Sequence, residues 1–302
     1  MEFWLDKGEP ASETEGDMGR HDKVIINPDW QALLQTHGLI SVETVYALRT
    51  GRIVKPGLAT EVRRIELSDH GSQRELYVKK YWYPTFGERW SGFYRGTFFG
   101  VSKVRREYEN LARLQSWGLD APTPVAYGEE RAAGWLHRSF LVSEGIHNPQ
   151  SLDVFIRDRV PALPAPERQQ TRRELIQRLA DYTRRLHEHG FVHHDFFWRN
   201  ILLSGNSLAR FFPIDSHKGR CWKPWMETRG RAKDLATLDA PAPSFFQRSE
   251  RLRFFLGYRG HSRLTRDDKH LLRLVLRLAE PMRVAQLQRV RRAKSLPESA
   301  TV

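Results

Sequence analysis

Residues 191–203 read FVHHDFFWRNILL, with two histidines, an aspartate and an asparagine set among aromatics and followed by an aliphatic run. Just upstream, RELIQRLADYTRRLHEHG puts Leu175, Ile176, Leu179, Tyr182 and Leu186 on one face of a helix. Gly190 follows where a C-terminal cap belongs. A packed core has no need of that polar set. Helix, polar loop and short strand in this order form the frame of a phosphoryl-transfer loop.

The spacing is H-x-D-x-x-x-x-N, from His193 and Asp195 to Asn200. Phosphoryl transfer asks a protein for positioning and charge compensation rather than covalent chemistry. One carboxylate takes the proton of the attacking hydroxyl, and oxygen ligands hold magnesium on the nucleotide phosphates. Asp195 is therefore the candidate base, with His193 beside it in the catalytic motif, and Asn200 reaches toward magnesium. A zinc or iron site at His193, His194 and Asp195 is the rival reading. Consecutive side chains diverge in extended backbone, which counts against it. Twenty positions after Asp195, the strand-like RFFPID ends in Asp215, the candidate second carboxylate on magnesium.

The phosphate lysine is sought in LYVKKY, which resembles the V-A-I-K pattern of a kinase strand. Lys79 ends the tetrapeptide in register, and Lys80 points to the opposite face; alternation alone does not choose between them. Glu107, on the helix predicted over residues 104–119, is the natural partner of that lysine. Glu109, about 200° round the helix, is the second choice.

The 302 residues allow one large domain or two lobes. Residues 44–67 read as strand, turn, strand, and residues 75–83 as another strand. A short helix is expected near residues 30–35, residues 162–167 read as loop, and the chain is mostly helical beyond Lys233. The expected architecture is α+β and bilobal, like a protein kinase: a small antiparallel β-rich N-lobe and a larger, mainly α-helical C-lobe. Residues 1–25 are expected to be a flexible segment, 26–146 the N-lobe and 147–302 the C-lobe. No apolar run approaches the ~20 residues that cross a bilayer. The one cysteine, Cys221, excludes an internal disulfide and a cysteine-rich zinc module. The net charge of +13 suits a polyanionic partner, whether nucleic acid, an anionic membrane surface or a phosphorylated substrate. No nucleic-acid recognition motif accompanies it, so nucleic acid is not expected.

The pattern departs from protein kinases. There is no G-x-G-x-x-G, only Gly51 and Gly57 at the first turn. Asp215-Ser216-His217 stands in place of D-F-G, and no A-P-E follows. His194 replaces the arginine of H-R-D, and Phe197 occupies the place of the lysine typical of serine/threonine kinases. An ordinary protein kinase with a phosphorylation-controlled loop is therefore not expected.

With LYVKKY, REYENLARLQSWGLDAPTPVAYGE, SFLVSE, FVHHDFFWRNILL, FFPIDSHKGR, RAKDLATL and LRFFLGYRG, the chain resembles the lipopolysaccharide core heptose kinases of Gram-negative bacteria. The resemblance runs from about residue 45 to 258. It implies ATP and Mg2+ and a sugar hydroxyl as acceptor, on a lipid-anchored lipopolysaccharide core oligosaccharide. It implies a cytoplasmic enzyme in peripheral contact with the anionic inner membrane. It gives Asp195, Asn200, Asp215, Lys79 and Glu107 the family's roles by position. Glu144 and Ile146 fall at the hinge where backbone meets adenine, and Asp234 at the helix position that braces the catalytic loop. Lys218, Arg220 and Lys223 become candidates to meet the acidic acceptor. The aromatic and basic stretch 81–100 either stacks on sugars or packs on the small lobe. The basic tail either lies on the membrane or caps the large lobe. Another small-molecule or tyrosine-directed kinase, and a pseudokinase binding anionic lipid, are the alternative functions.

Overall fold

The structure, a computed structural model, describes residues 20–57, 59–69, 71–83, 100–205, 207–222 and 228–295. The N-lobe is a six-stranded antiparallel sheet in the order β1-β5-β6-β4-β3-β2. Its strands are β1 (Arg20–Ile26), β2 (Arg52–Lys55), β3 (Thr60–Asp69), β4 (Ser72–Trp82), β5 (Pro124–Ala132) and β6 (Trp135–Glu144). Period-two alternation along β4 buries Leu76, Val78 and Lys80 on one face. That face packs Leu76 and Val78 against Leu34, Val42 and Val45 of α1 (Gln31–Thr36) and α2 (Val42–Ala47). Helix α3 (Lys103–Ser116) covers the other face, where Val104 meets Leu141 and Tyr127.

The sheet differs from the sequence reading in two places. Residues 20–25, expected to be flexible, belong to β1, which pairs with β5 from Arg20 opposite Ala132 to Ile26 opposite Ala126. Residues 44–47, expected to be strand, are helical. A capping box between Ser41 and Thr44 starts α2, and burial of Val42, Val45 and Tyr46 at i, i+3 and i+4 overrides their β propensity.

The C-lobe follows the hinge after β6. A three-stranded sheet sets β9 (Ile201–Ser204) between β7 (Pro149–Ser151) and β10 (Ser207–Pro213). A two-stranded ladder joins β8 (Phe191–Val192) to β11 (Arg220–Cys221). The helices are an irregular segment over residues 152–162, then α4 (Ala165–Glu188), α5 (Thr228–Asp239), α6 (Arg248–Arg259) and α7 (Arg266–Ser295). Helix α4 already begins inside the stretch 162–167 expected as loop, with Pro166 in its first turn, where a missing N–H is harmless. Its apolar face joins Leu152, Phe155, Phe191, Phe196, Trp198, Ile201 and Leu203 in the main core. Leu271, Val275 and Ala279 of α7 pack with Ala232, Leu235 and Ala236 of α5, so this part of the basic tail caps the lobe.

Candidate active site

The aromatic residues of 191–203 explain themselves once packed. Phe191, Phe196 and Trp198 are buried in the C-lobe core and anchor the loop from below. The polar residues between them are then held by main-chain bonds. Asp234 of α5, fully buried, accepts the amides of His193 at 2.7 Å and His194 at 2.8 Å. Thr237, one turn on, donates to the Phe196 carbonyl at 2.9 Å. These contacts support a loop with His194 at φ 64°, a conformation uncommon outside glycine. Asn200 donates its side-chain amide to the Asp195 carbonyl at 2.9 Å, and its own carbonyl accepts the Ile214 amide at 2.9 Å. The last bond ties the loop to the strand end that carries Asp215.

Strand β4, helix α3 and that strand end meet at one point. Lys79 Nζ lies 2.8 Å from Glu107 Oε1 and 2.6 Å from Asp215 Oδ1, although Asp215 is 136 positions away. Burial alone would push the Lys79 amine down, but the two carboxylates hold it above its ordinary value and it stays an ammonium. Burial pushes Asp215 up, but Lys79 outweighs it and leaves the carboxyl below the usual carboxylate range. Asp215 adopts φ 58°, and the chain turns at once into a 3-10 turn, Ser216–Lys218. Buried Asn110, on α3 one turn after Glu107, donates to the carbonyls of Ser216 at 2.7 Å and Gly219 at 3.0 Å. Lys218, on that turn, reaches back to Asp195 Oδ2 at 3.0 Å.

The structure therefore brings Lys79, Glu107, Asp195, Asn200, Asp215 and Lys218 to one cleft. It also shows that Lys79 and Glu107 are the lysine and glutamate that meet, while Lys80 and Glu109 have other partners. Lys80 is buried on the far face of the sheet, with Nζ 3.3 Å from the Leu48 carbonyl and 3.6 Å from Glu61. Glu109 is engaged with Arg105 at 2.7 Å. One expectation needs correction. The His193 ring does not face the cleft but is fully buried near Phe191 and Phe196. Burial lowers its pKa and keeps it neutral, so His193 contributes its main chain rather than a proton-transfer group. The Asp195 side chain is partly exposed, as a base that meets a substrate must be.

Glu144 ends β6 opposite Leu76, donates its amide to the Thr123 carbonyl at 2.8 Å, and pairs its carboxylate with Arg74. Ile146 is buried just beyond it. Arg220 is exposed on β11, opposite Val192. Lys223, residues 1–19 and residues 84–99 of the aromatic stretch lie outside the described residues. Asn110 escaped the sequence reading. Its signal was a polar residue on the same helix face as Leu111 and Leu114, three positions after Glu107.

The donor set suits magnesium shared with a nucleotide. Asp215 offers carboxylate oxygens, and Asn200, whose amide nitrogen is taken by Asp195, offers its carboxamide oxygen. Among the described residues no group of three or more His, Cys, Asp or Glu could cage a metal alone. A hard cation there must complete its shell with phosphate oxygens and water.

The profile of the lipopolysaccharide kinase (Kdo/WaaP) family matches residues 55–258. The chain is 30% identical over 190 residues to the lipopolysaccharide core heptose(I) kinase WaaP of Pseudomonas aeruginosa, covering 60% of this chain and 69% of that one. It is 30% identical over 150 residues to the 3-deoxy-D-manno-octulosonic acid kinase of Mannheimia succiniciproducens, covering 43% and 58%. A solved structure of WaaP in complex with acyl carrier protein superposes with a TM-score of 0.61 at 25% identity, covering 86% of this chain and 98% of that one. Among the described residues no helix is long and apolar enough to cross a membrane.

Proposed function

The chain belongs to the lipopolysaccharide kinase (Kdo/WaaP) family, and on that premise we propose that it transfers the γ-phosphoryl group of ATP to a hydroxyl of an inner-core heptose. The observation that carries the proposal is Lys79 held between Glu107 and Asp215, beside the loop of Asp195. Charged groups that shift one another's proton affinity in this way cluster at functional sites. Lys79 steadies the nucleotide phosphates, and Glu107 steadies Lys79. Asp195 accepts the proton of the acceptor hydroxyl as its oxygen bonds to the γ-phosphorus and ADP departs. Asp215 and Asn200 would hold magnesium, which when bound neutralises charge on the phosphates. The Glu144 carbonyl and Ile146 backbone meet the adenine at the hinge. Arg220 and Lys223 would add positive charge for the anionic acceptor at the surface of the inner membrane.

Heptose is preferred to 3-deoxy-D-manno-octulosonic acid because the longer shared stretch is with the heptose(I) kinase. The test is transfer of labelled phosphate from ATP to dephosphorylated core, with Asp195→Ala as control, followed by location of the new phosphate. Label on the octulosonic acid would change the acceptor. No label on any core would reject the proposal.

An acyl carrier protein is proposed as a partner, as in the solved relative. The supporting observation is an apolar recess lined by Ile156, Leu175, Leu179, Trp198, Leu238 and Phe254, with the ion-paired Arg251 and Asp239 and the carboxylate of Glu250 also in its lining. Calorimetric titration with acylated and unacylated carrier tests it, and equal absence of binding to both would reject it.

A further inference from the structure

The catalytic loop has no lysine two positions after its base, and its own arginine, Arg199, is engaged with an aromatic ring. Phe197 stands two positions after Asp195, where a lysine is typical of serine/threonine kinases, and its ring is covered by the Arg199 guanidinium at 4.2 Å. Phosphoryl transfer nonetheless places a carboxylate base, the acceptor oxygen and the phosphoryl oxygens close together, and their mutual repulsion needs a positive charge.

The charge comes from another segment. Lys218 Nζ is 3.0 Å from Asp195 Oδ2, and Lys218 belongs to the turn that follows Asp215. That turn is fixed on both sides of the lysine. The Gly219 amide donates to the Ser216 carbonyl at 2.8 Å, closing the turn. Asn110, buried in α3, bonds both the Ser216 and the Gly219 carbonyl oxygens. Directly after Gly219 the chain enters β11, which pairs with β8. A Cβ at Gly219 would come within 2.3 Å of the Phe191 ring, so only glycine lets the turn sit this close to the catalytic segment. The backbone that carries Lys218 is therefore held on both sides of the lysine. The Lys218 side chain is about half exposed, at 53% against 18% for Asp195. A pair that open contributes little to stability, so its value must be sought elsewhere.

We propose that Lys218 is a catalytic residue that replaces the missing loop lysine from a different strand connection. It bridges Asp195 and the transferring phosphoryl group rather than binding a remote anion of the acceptor. As the acceptor oxygen bonds to phosphorus, its proton passes to Asp195, the bond to the departing ADP oxygen breaks, and the Lys218 ammonium faces the oxygens that carry the charge. This rests on the phosphotransferase reading above.

The test compares the full chain with its K218M, K218R and F197K/K218M variants, using ATP and dephosphorylated core. K218M is expected to lower kcat on the order of a hundredfold, as for loss of one charge-stabilising donor, with KM for the core little changed. K218R is expected to keep part of the activity, and F197K/K218M to regain at least about a tenth of it by restoring the charge from the loop. Melting temperatures of K218M and the parent should agree. Unchanged kcat with a raised KM for the core would overturn the proposal and make Lys218 an acceptor-binding residue. If the parent leaves every core unlabelled, hydrolysis of ATP is read instead. Loss of that hydrolysis in K218M keeps Lys218 in its role while the acceptor reading falls, and equal hydrolysis overturns the role of Lys218. A parent that neither transfers nor hydrolyses overturns both.

Discussion

The carboxylate of Asp234 accepts the backbone amide of His193 at 2.7 Å, across 41 positions of chain. Its other oxygen takes the next amide, so a single buried side chain holds the entry to the catalytic loop. The helix that packs against α7 and into the C-lobe core thus also fixes the main chain just before Asp195.

Asp234→Ala leaves one buried and one partly buried N–H group without their acceptor, at roughly 1–3 kcal/mol for the buried one and less for the other. The expected loss is on the order of 3 kcal/mol in urea denaturation, with a fall in kcat larger than the change in KM for ATP. Asp234→Asn, which keeps one acceptor oxygen, should lose less. Unaltered unfolding of the alanine variant would refute the bracing role.

The two neighbouring lysines should separate cleanly. Lys79→Met removes the ammonium between Glu107 and Asp215 and should abolish turnover. Lys80→Met acts on the other face, where the amine meets the Leu48 carbonyl and Glu61. It should cost about 1–2 kcal/mol of stability and leave kcat within about threefold of the parent. Nucleotide titration and thermal melting of both variants read the difference, and reversed outcomes would exchange the two assignments.

Stability should depend on pH through Asp268. Its carboxylate is buried and receives the Thr265 amide at 3.0 Å, His261 Nδ1 at 2.6 Å and Arg259 Nε at 2.6 Å. Burial pushes its pKa up, but these donors outweigh burial and hold the carboxyl well below the usual range. A carboxyl with a folded pKa below its unfolded one stabilises the fold above the unfolded value, and that contribution fades as pH falls toward the folded value. Asp268→Asn should therefore cost roughly 2–3 kcal/mol at pH 7. The gap should narrow below about pH 4. Denaturation curves of both proteins from neutral to acid pH check this, and a gap independent of pH would contradict it.

Gly128 lies under the Phe140 ring in the middle of the sheet. A Cβ there would come within 2.2 Å of a ring carbon of a fully buried phenylalanine. Gly128→Ala should cost about 1–3 kcal/mol through overpacking. The double variant Gly128→Ala with Phe140→Leu should recover part of that loss. Calorimetric melting distinguishes the two, and a neutral single variant would show that the sheet yields at this point.

The polar loop, both aspartates and the β4 lysine pair were legible because each lies in a local pattern: a fixed spacing, a strand end, an alternating tetrapeptide. Strand β1 and helix α2 were not. The first depends on a partner strand about a hundred positions away, and the second on a capping box within a β-branched stretch. Asn110 hid in the apolar stripe of α3 because nothing nearby in sequence marks a polar residue whose two acceptors lie 106 and 109 positions on.

By itself the sequence determined which polar residues make up the candidate site and their order along the chain, since spacing within a helix–loop–strand unit is a local property. Only the tertiary structure decided that Lys79 rather than Lys80 meets Glu107, that the His193 ring turns inward, and that Lys218 reaches Asp195. Each of these depends on which face of a sheet or loop is covered by an element distant in sequence. Burial and charge pairing act between surfaces that the linear order does not bring together.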